Sequence, residues 1–133
     1  MPLPTFESLQ LEQRGAVLRV TFNHPPINLM DGVMIGDLVA LGQWLSDAEG
    51  IRCAVFDSAN PEFFIAHADI EMIQQLPTEV AEPSTELGLF HVMIETFRTL
   101  PMATIGKIAG RARGGGSEFL LSLDMRFAAI GQA

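Results

Sequence analysis

Ile108-Ala109-Gly110-Arg111-Ala112-Arg113-Gly114-Gly115-Gly116-Ser117-Glu118 passes from an apolar stretch through three consecutive glycines into residues that can open a helix. The stretch predicts a strand ending in a tight loop, with a short helix from the glycines through about Ser122. Consecutive glycines reach backbone angles closed to other residues and let a ligand approach the main chain. The first turn of the following helix has N–H groups without helical partners and a partial positive charge. Such a place suits an oxyanion that develops during a reaction. It also suits an ordinary turn, and glycines alone do not separate the two readings. A P-loop is disfavoured, because it ends in Gly-Lys-Ser/Thr where this chain has Gly116-Ser117-Glu118. A dinucleotide fingerprint needs a different glycine spacing. Glu118 either complements the helix dipole or faces the held ligand and handles a proton or a water.

Working outward, residues 103–109 read as the strand before the loop and 125–130 as a strand after the helix. Phe63-Phe64-Ile65-Ala66-His67-Ala68-Asp69 follows another apolar strand and precedes a short helix at about 69–75. It too is a strand-end loop, and two such loops could each offer a main-chain N–H to one carbonyl oxygen. Leu9 and Leu11, then Leu18, Val20 and Phe22, alternate with polar neighbours around a turn at Gln13-Arg14-Gly15, which predicts a hairpin. Asn23-His24-Pro25-Pro26 ends it, since proline lacks the ladder donor. From Asp31, the spacing of Met34, Leu38, Leu41, Leu45 and Ala48 predicts an amphipathic helix closed by Gly50. The run from Ile51 to Phe56 reads as a strand buried on both faces. Leu87, Phe90, Ile94 and Phe97 mark a further helix after a polar, proline-containing loop at about 77–85, expected to be mobile. Strands alternating with helices after a hairpin indicate an α/β architecture.

The 133 residues suit one domain, 1–133, with a short tail at 1–5, and the 48% hydrophobic content supports a real core. The net charge of −8, a single lysine (Lys107) and scattered arginines leave no basic stripe for nucleic acid. No apolar run reaches the roughly 20 residues of a membrane span. The start, Met1-Pro2-Leu3-Pro4, lacks signal-peptide regions. One cysteine, Cys53, cannot form an internal disulfide, so a reducing cytoplasmic setting is expected.

Three blocks in order together resemble the enoyl-CoA hydratase/isomerase (crotonase) superfamily. Asn23-His24-Pro25-Pro26-Ile27-Asn28-Leu29-Met30-Asp31 is similar to its N-R-P-x-x-N-A-L-N loop, and Phe64-Ile65-Ala66-His67-Ala68-Asp69 to its F-x-A-G-x-D loop. The stretch from Ile108 to Glu118 resembles V-x-G-x-x-x-G-G-G-x-E, with Asp124 placed like a later family aspartate. The resemblance implies a crotonase-like spiral of ββα units. It implies an acyl-CoA thioester substrate whose enolate-like oxygen is held by the N–H groups of Ala68 and Gly115. Ala66, Ala68, Asp69, Ile70 and Glu71 would border the CoA moiety, and Glu118 would be the first of two acid/base glutamates. No metal and no permanently bound cofactor are expected; coenzyme A enters as part of the substrate. The implied role lies in fatty acid metabolism, in a homo-oligomer, a trimer or hexamer.

Family members continue for roughly as many residues again. The second glutamate and the terminal helices would then fall beyond Ala133, so the chain is expected to lack the C-terminal part and to expose apolar surface and a strand edge. His67 replaces the family glycine and would be strained if its φ were positive; it is either a tolerated variant or a site residue. His24 stands at the family arginine position, for a phosphate contact or for turn capping. Arg113 precedes the glycines, for an acyl carboxylate or for a salt bridge to Asp124 or another acid. His91, Cys53 and the methionines read as structural. The alternative to a hydratase or isomerase is a non-catalytic CoA-thioester binding or assembly subunit, or another crotonase-type reaction such as hydrolysis or decarboxylation.

Overall fold

The structure is a computed structural model that describes residues 2–133; Met1, the first residue of the expected tail, lies outside the described residues. Two strands, β1 (Leu9–Arg14) and β2 (Val17–Phe22), form the expected hairpin, with Arg14 opposite Val17. The turn is therefore tighter than Gln13-Arg14-Gly15: only Gly15, at φ 59°, and Ala16 lie between the strands. Helix α1 (Gly32–Asp47) begins on Asp31, whose side chain accepts from the Met34 N–H. Met34, Leu38, Leu41 and Leu45 are fully buried, as their spacing requires.

Strand β3 (Cys53–Ser58) starts two residues later than the apolar run suggests. The reading of two buried faces is corrected as well. Ala54 and Phe56 are fully buried, whereas Cys53 and Val55 on the other face are half-exposed. Helices cover one face of the sheet only, and apolar residues on the uncovered face made the run look continuous. Burial pushes the Cys53 thiol up, which disfavours the reactive thiolate.

The chain continues through β4 (Phe63–Ile65), α2 (Ile70–Gln74), α3 (Leu89–Arg98), β5 (Ala103–Ile108), β6 (Arg111–Ala112), α4 (Gly115–Leu121) and β7 (Met125–Ala128). Leu87 precedes α3 and is exposed; the helix buries Met93 and Phe97 instead. Its ten residues turn the Met93–Phe97 side toward α1, where the absent side chain of Gly42 allows close approach by Thr96. Residues 77–88 form neither helix nor strand and are exposed. At the other end, Leu3 and Phe6 pack against the core.

The larger sheet has the order β1-β2-β3-β5-β7, parallel after the first hairpin. Strands β4 and β6 leave it and pair with each other in a second, parallel sheet. The order is thus three ββα units, the second carrying the extra helix α3, followed by β7, the spiral of ββα units that the resemblance implies. Strand β7 is an edge, and Leu121, Met125 and Phe127 beside it are exposed. Among the described residues, no helix is long and apolar enough to cross a membrane.

Candidate functional site

The second sheet brings the two glycine- and alanine-containing loops together. Strand β6 is held to β4 by the Arg111 N–H on Glu62 C=O (2.9 Å) and the Arg113 N–H on Ile65 C=O (3.3 Å). This approach needs Gly110: a Cβ there would lie 2.8 Å from the Glu62 carbonyl carbon and the Phe63 nitrogen, which are backbone and cannot yield. The three following glycines have separate reasons. Gly114 has φ 51° and ψ −124°, a conformation in which a side chain is strained. Gly115 lies against Met30 Sδ and Ala68 Cβ, at 2.8 and 3.6 Å from the position its own Cβ would take. Gly116 lies against the β-branched Ile65, with its would-be Cβ 2.7 Å from Ile65 Cβ.

On its other side, the segment carrying Ala68, beyond β4, meets the Asn28–Met30 segment. The Met30 N–H donates to His67 C=O (2.9 Å) and the Asp69 N–H to Met30 C=O (3.0 Å), a parallel bridge centred on Ala68. In such a bridge the flanking residues supply the bonds, so the N–H and C=O of Ala68 itself turn away from Met30. Gly115 is the first residue of α4, where an N–H has no helical partner. Among the described residues, neither the Ala68 nor the Gly115 N–H donates a backbone hydrogen bond. Two N–H groups that donate no backbone hydrogen bond among the described residues thus belong to residues that the fold places side by side.

Asn28 anchors this arrangement and is a residue that sequence reasoning did not single out. It is buried at φ 53°, a left-handed conformation that asparagine tolerates better than most residues. Its Oδ1 accepts from the His24 N–H (2.8 Å), and its Nδ2 donates to Ser58 Oγ (2.8 Å) and Phe64 C=O (3.0 Å). Phe90 was also missed as a neighbour of the site: its ring lies 3.7 Å from the would-be Cβ of Gly115. Helical spacing marks Phe90 as apolar, but nothing local says what it faces.

The remaining candidates divide. Glu118 is exposed on α4, its side chain without a hydrogen bond or ion pair among the described residues. Ala66 is buried, and its N–H donates to Asn28 C=O (3.3 Å). Asp69 caps α2 by accepting from the Glu71 N–H (3.0 Å), while Ile70 and Glu71 are exposed. His67 has no positive φ, so the strain considered above does not arise. Arg113 makes no salt bridge to Asp124, correcting that expectation. Asp124 accepts instead from the Thr104 N–H and hydroxyl, tying the end of α4 to β5. Exposed Arg113 has no ion-pair partner among the described residues. His91 is exposed beside Phe90.

His24 acts in turn and helix capping. Its Nε2 lies 2.7 Å from Asp31 Oδ2, and because a carboxylate only accepts, Nε2 carries the hydrogen. Burial pushes the Asp31 carboxyl up, but the hydrogen bonds from His24 and the Met34 N–H and the charge of His24 outweigh it. The net result is a pKa below the ordinary 3.8. A lowered carboxylate pKa contributes stability that is full above the unfolded value and lost as pH falls through the folded one. Asp31→Asn is therefore expected to flatten the acid side of the stability curve below about pH 4. Denaturant midpoints measured from about pH 6 down to about pH 3 check this, and an unchanged acid slope in the variant counts against it.

Known proteins are similar to this chain in sequence and shape. The sequence model of the family described as enoyl-CoA hydratase/isomerase matches residues 12–131. The carnitinyl-CoA dehydratase of Proteus mirabilis is 29% identical over 119 residues, which is 90% of this chain and 44% of that protein. The fatty acid oxidation complex subunit alpha of Vibrio vulnificus is 27% identical over 116 residues, 86% of this chain and 16% of that subunit. A crystal structure of a candidate enoyl-CoA hydratase from Streptomyces avermitilis superposes with a TM-score of 0.84 at 35% identity, over 97% of this chain and 48% of that one. The chain spans less than half the length of each of these relatives.

Proposed function

The chain belongs to the enoyl-CoA hydratase/isomerase family, and from that premise we propose that it supplies the thioester-holding part of an acyl-CoA enzyme of hydratase or isomerase type. The Ala68 and Gly115 N–H groups donate to the thioester oxygen and strengthen their hold as it becomes enolate-like. Donors already in place cost no reorganisation at the moment of reaction, and one such donor is worth about 10²–10³ in kcat. Glu118 moves a proton or orients a water at the acyl chain. Ala66, Asp69, Ile70 and Glu71 border the CoA moiety, and Arg113, without an ion-pair partner among the described residues, is available to an anionic group of the ligand. The single observation that carries this reading is that Ala68 Cβ lies 3.6 Å from where a Gly115 Cβ would stand, while among the described residues neither N–H donates a backbone hydrogen bond.

A non-catalytic CoA-thioester binding or assembly subunit is the second reading. The departure at His67 and Arg113, which makes no ion pair among the described residues, favour it. Titrating crotonyl-CoA into the intact protein by calorimetry, with free coenzyme A as the control, tests both. Loss of the enoyl-thioester absorbance follows turnover in the same samples. Saturable binding with hydration or isomerisation is expected, whereas binding without turnover supports the second reading. Absence of binding by any acyl-CoA defeats both.

A further inference from the structure

His67 precedes the proposed donor Ala68, and its half-buried ring places Nδ1 2.7 Å from the Ala68 carbonyl oxygen. A carbonyl only accepts, so Nδ1 carries the hydrogen. Without this contact each of the two peptide groups flanking Ala68 is pinned at one atom by Met30. The one before it is pinned at its oxygen by the Met30 N–H (2.9 Å). The one after it is pinned at its nitrogen by Met30 C=O (3.0 Å), and its oxygen turns to the far side of the bridge, where no backbone donor meets it among the described residues. His67 supplies that missing donor.

From this geometry we propose that His67 is a positioning residue for the Ala68 N–H, holding the Ala68–Asp69 peptide through its Nδ1–H. The proposal rests on the oxyanion reading above and deepens it. The hydrogen bond acts in two ways. It fixes the second peptide at both ends, so the backbone angles of Ala68, and with them the direction of its N–H, have little freedom. It also offsets the partial negative charge of a carbonyl that shares the N–H's side of this segment, where an oxyanion has to sit. Glycine at position 67, as the family pattern has it, offers no side-chain donor for that carbonyl. The absence of positive φ at His67 means that the imidazole is accommodated without backbone strain.

Two measurements test this, one without any ligand. Imidazole nitrogen NMR of the intact protein at neutral pH should show His67 as the Nδ1–H tautomer; the Nε2–H tautomer overturns the proposal. Steady-state kinetics with crotonyl-CoA then compare His67→Leu with His67→Asn, whose amide nitrogen falls near the Nδ1 position. His67→Leu is expected to lower kcat about tenfold with KM changed less than about threefold, and His67→Asn to recover most of the loss. Thermal melting of both variants controls for folding. Equal turnover in the two variants, or a rise in KM alone, overturns the positioning role. A wild-type protein that binds no acyl-CoA overturns the functional reading and the positioning role with it, while the tautomer still reports the hydrogen bond itself.

Discussion

Glu118→Gln is expected to lower the turnover of crotonyl-CoA by about 10²–10⁴-fold while leaving the affinity for the thioester nearly unchanged. Helix α4 buries Gly115, Gly116, Phe119 and Leu120 on one side, and Glu118 lies on the exposed side with Ser117 and Leu121. Its backbone N–H is taken by Gly114 C=O (3.0 Å), a bond the substitution keeps. The carboxylate has no ion-pair partner within the chain among the described residues, so its replacement breaks no internal salt bridge. Glutamine matches its shape but cannot take up a proton. The loss should therefore fall on kcat rather than KM. A variant with wild-type kcat would remove Glu118 from the chemistry and leave only its place beside the helix dipole.

The largest expected effect on stability comes from the next residue. Phe119 is fully buried and meets three other phenylalanines edge-on, with ring centroids 5.7 Å from Phe22, 5.3 Å from Phe56 and 5.1 Å from Phe97. These rings come from β2, β3 and α3, so Phe119 ties α4 to the large sheet and to the helix layer at once. Phe119→Ala removes the packing of the ring and leaves a cavity that rigid neighbours fill only in part, costing about 3–5 kcal/mol. Denaturant unfolding of the variant should show a lower midpoint with little change in slope. A loss under about 1 kcal/mol would mean that α4 is not held by this cluster. Because Gly115 and Glu118 ride on the same short helix, activity should fall in step with the folded fraction.

Much of this was legible in the sequence, for reasons that are local. Side-chain period alone places Leu18, Val20 and Phe22 on one face of a strand and Met34, Leu38, Leu41 and Leu45 on one face of a helix. Glycine chemistry alone marks 114–116 as a place of unusual backbone, and the order of three blocks indicates the family. Periodicity misjudged β3, because an uncovered sheet face can carry apolar residues such as Cys53 and Val55. It misjudged Leu87 as well, since a residue in helical register need not lie within the helix.

Only the tertiary structure decided what surrounds the triple glycine. Gly116 is glycine because Ile65 stands against it, and Met30 Sδ lies 2.8 Å from where a Gly115 Cβ would be. The partner of Asp124 is Thr104 rather than Arg113, and the partner of His24 is Asp31. His67 reads in the sequence as a departure from a pattern; the fold turns its Nδ1–H onto the Ala68 carbonyl. Residues distant in the chain become neighbours only when β4 and β6 leave the large sheet and pair. Local spacing says which backbone groups are left without partners. Which of them face one another follows from strand pairing across the whole fold.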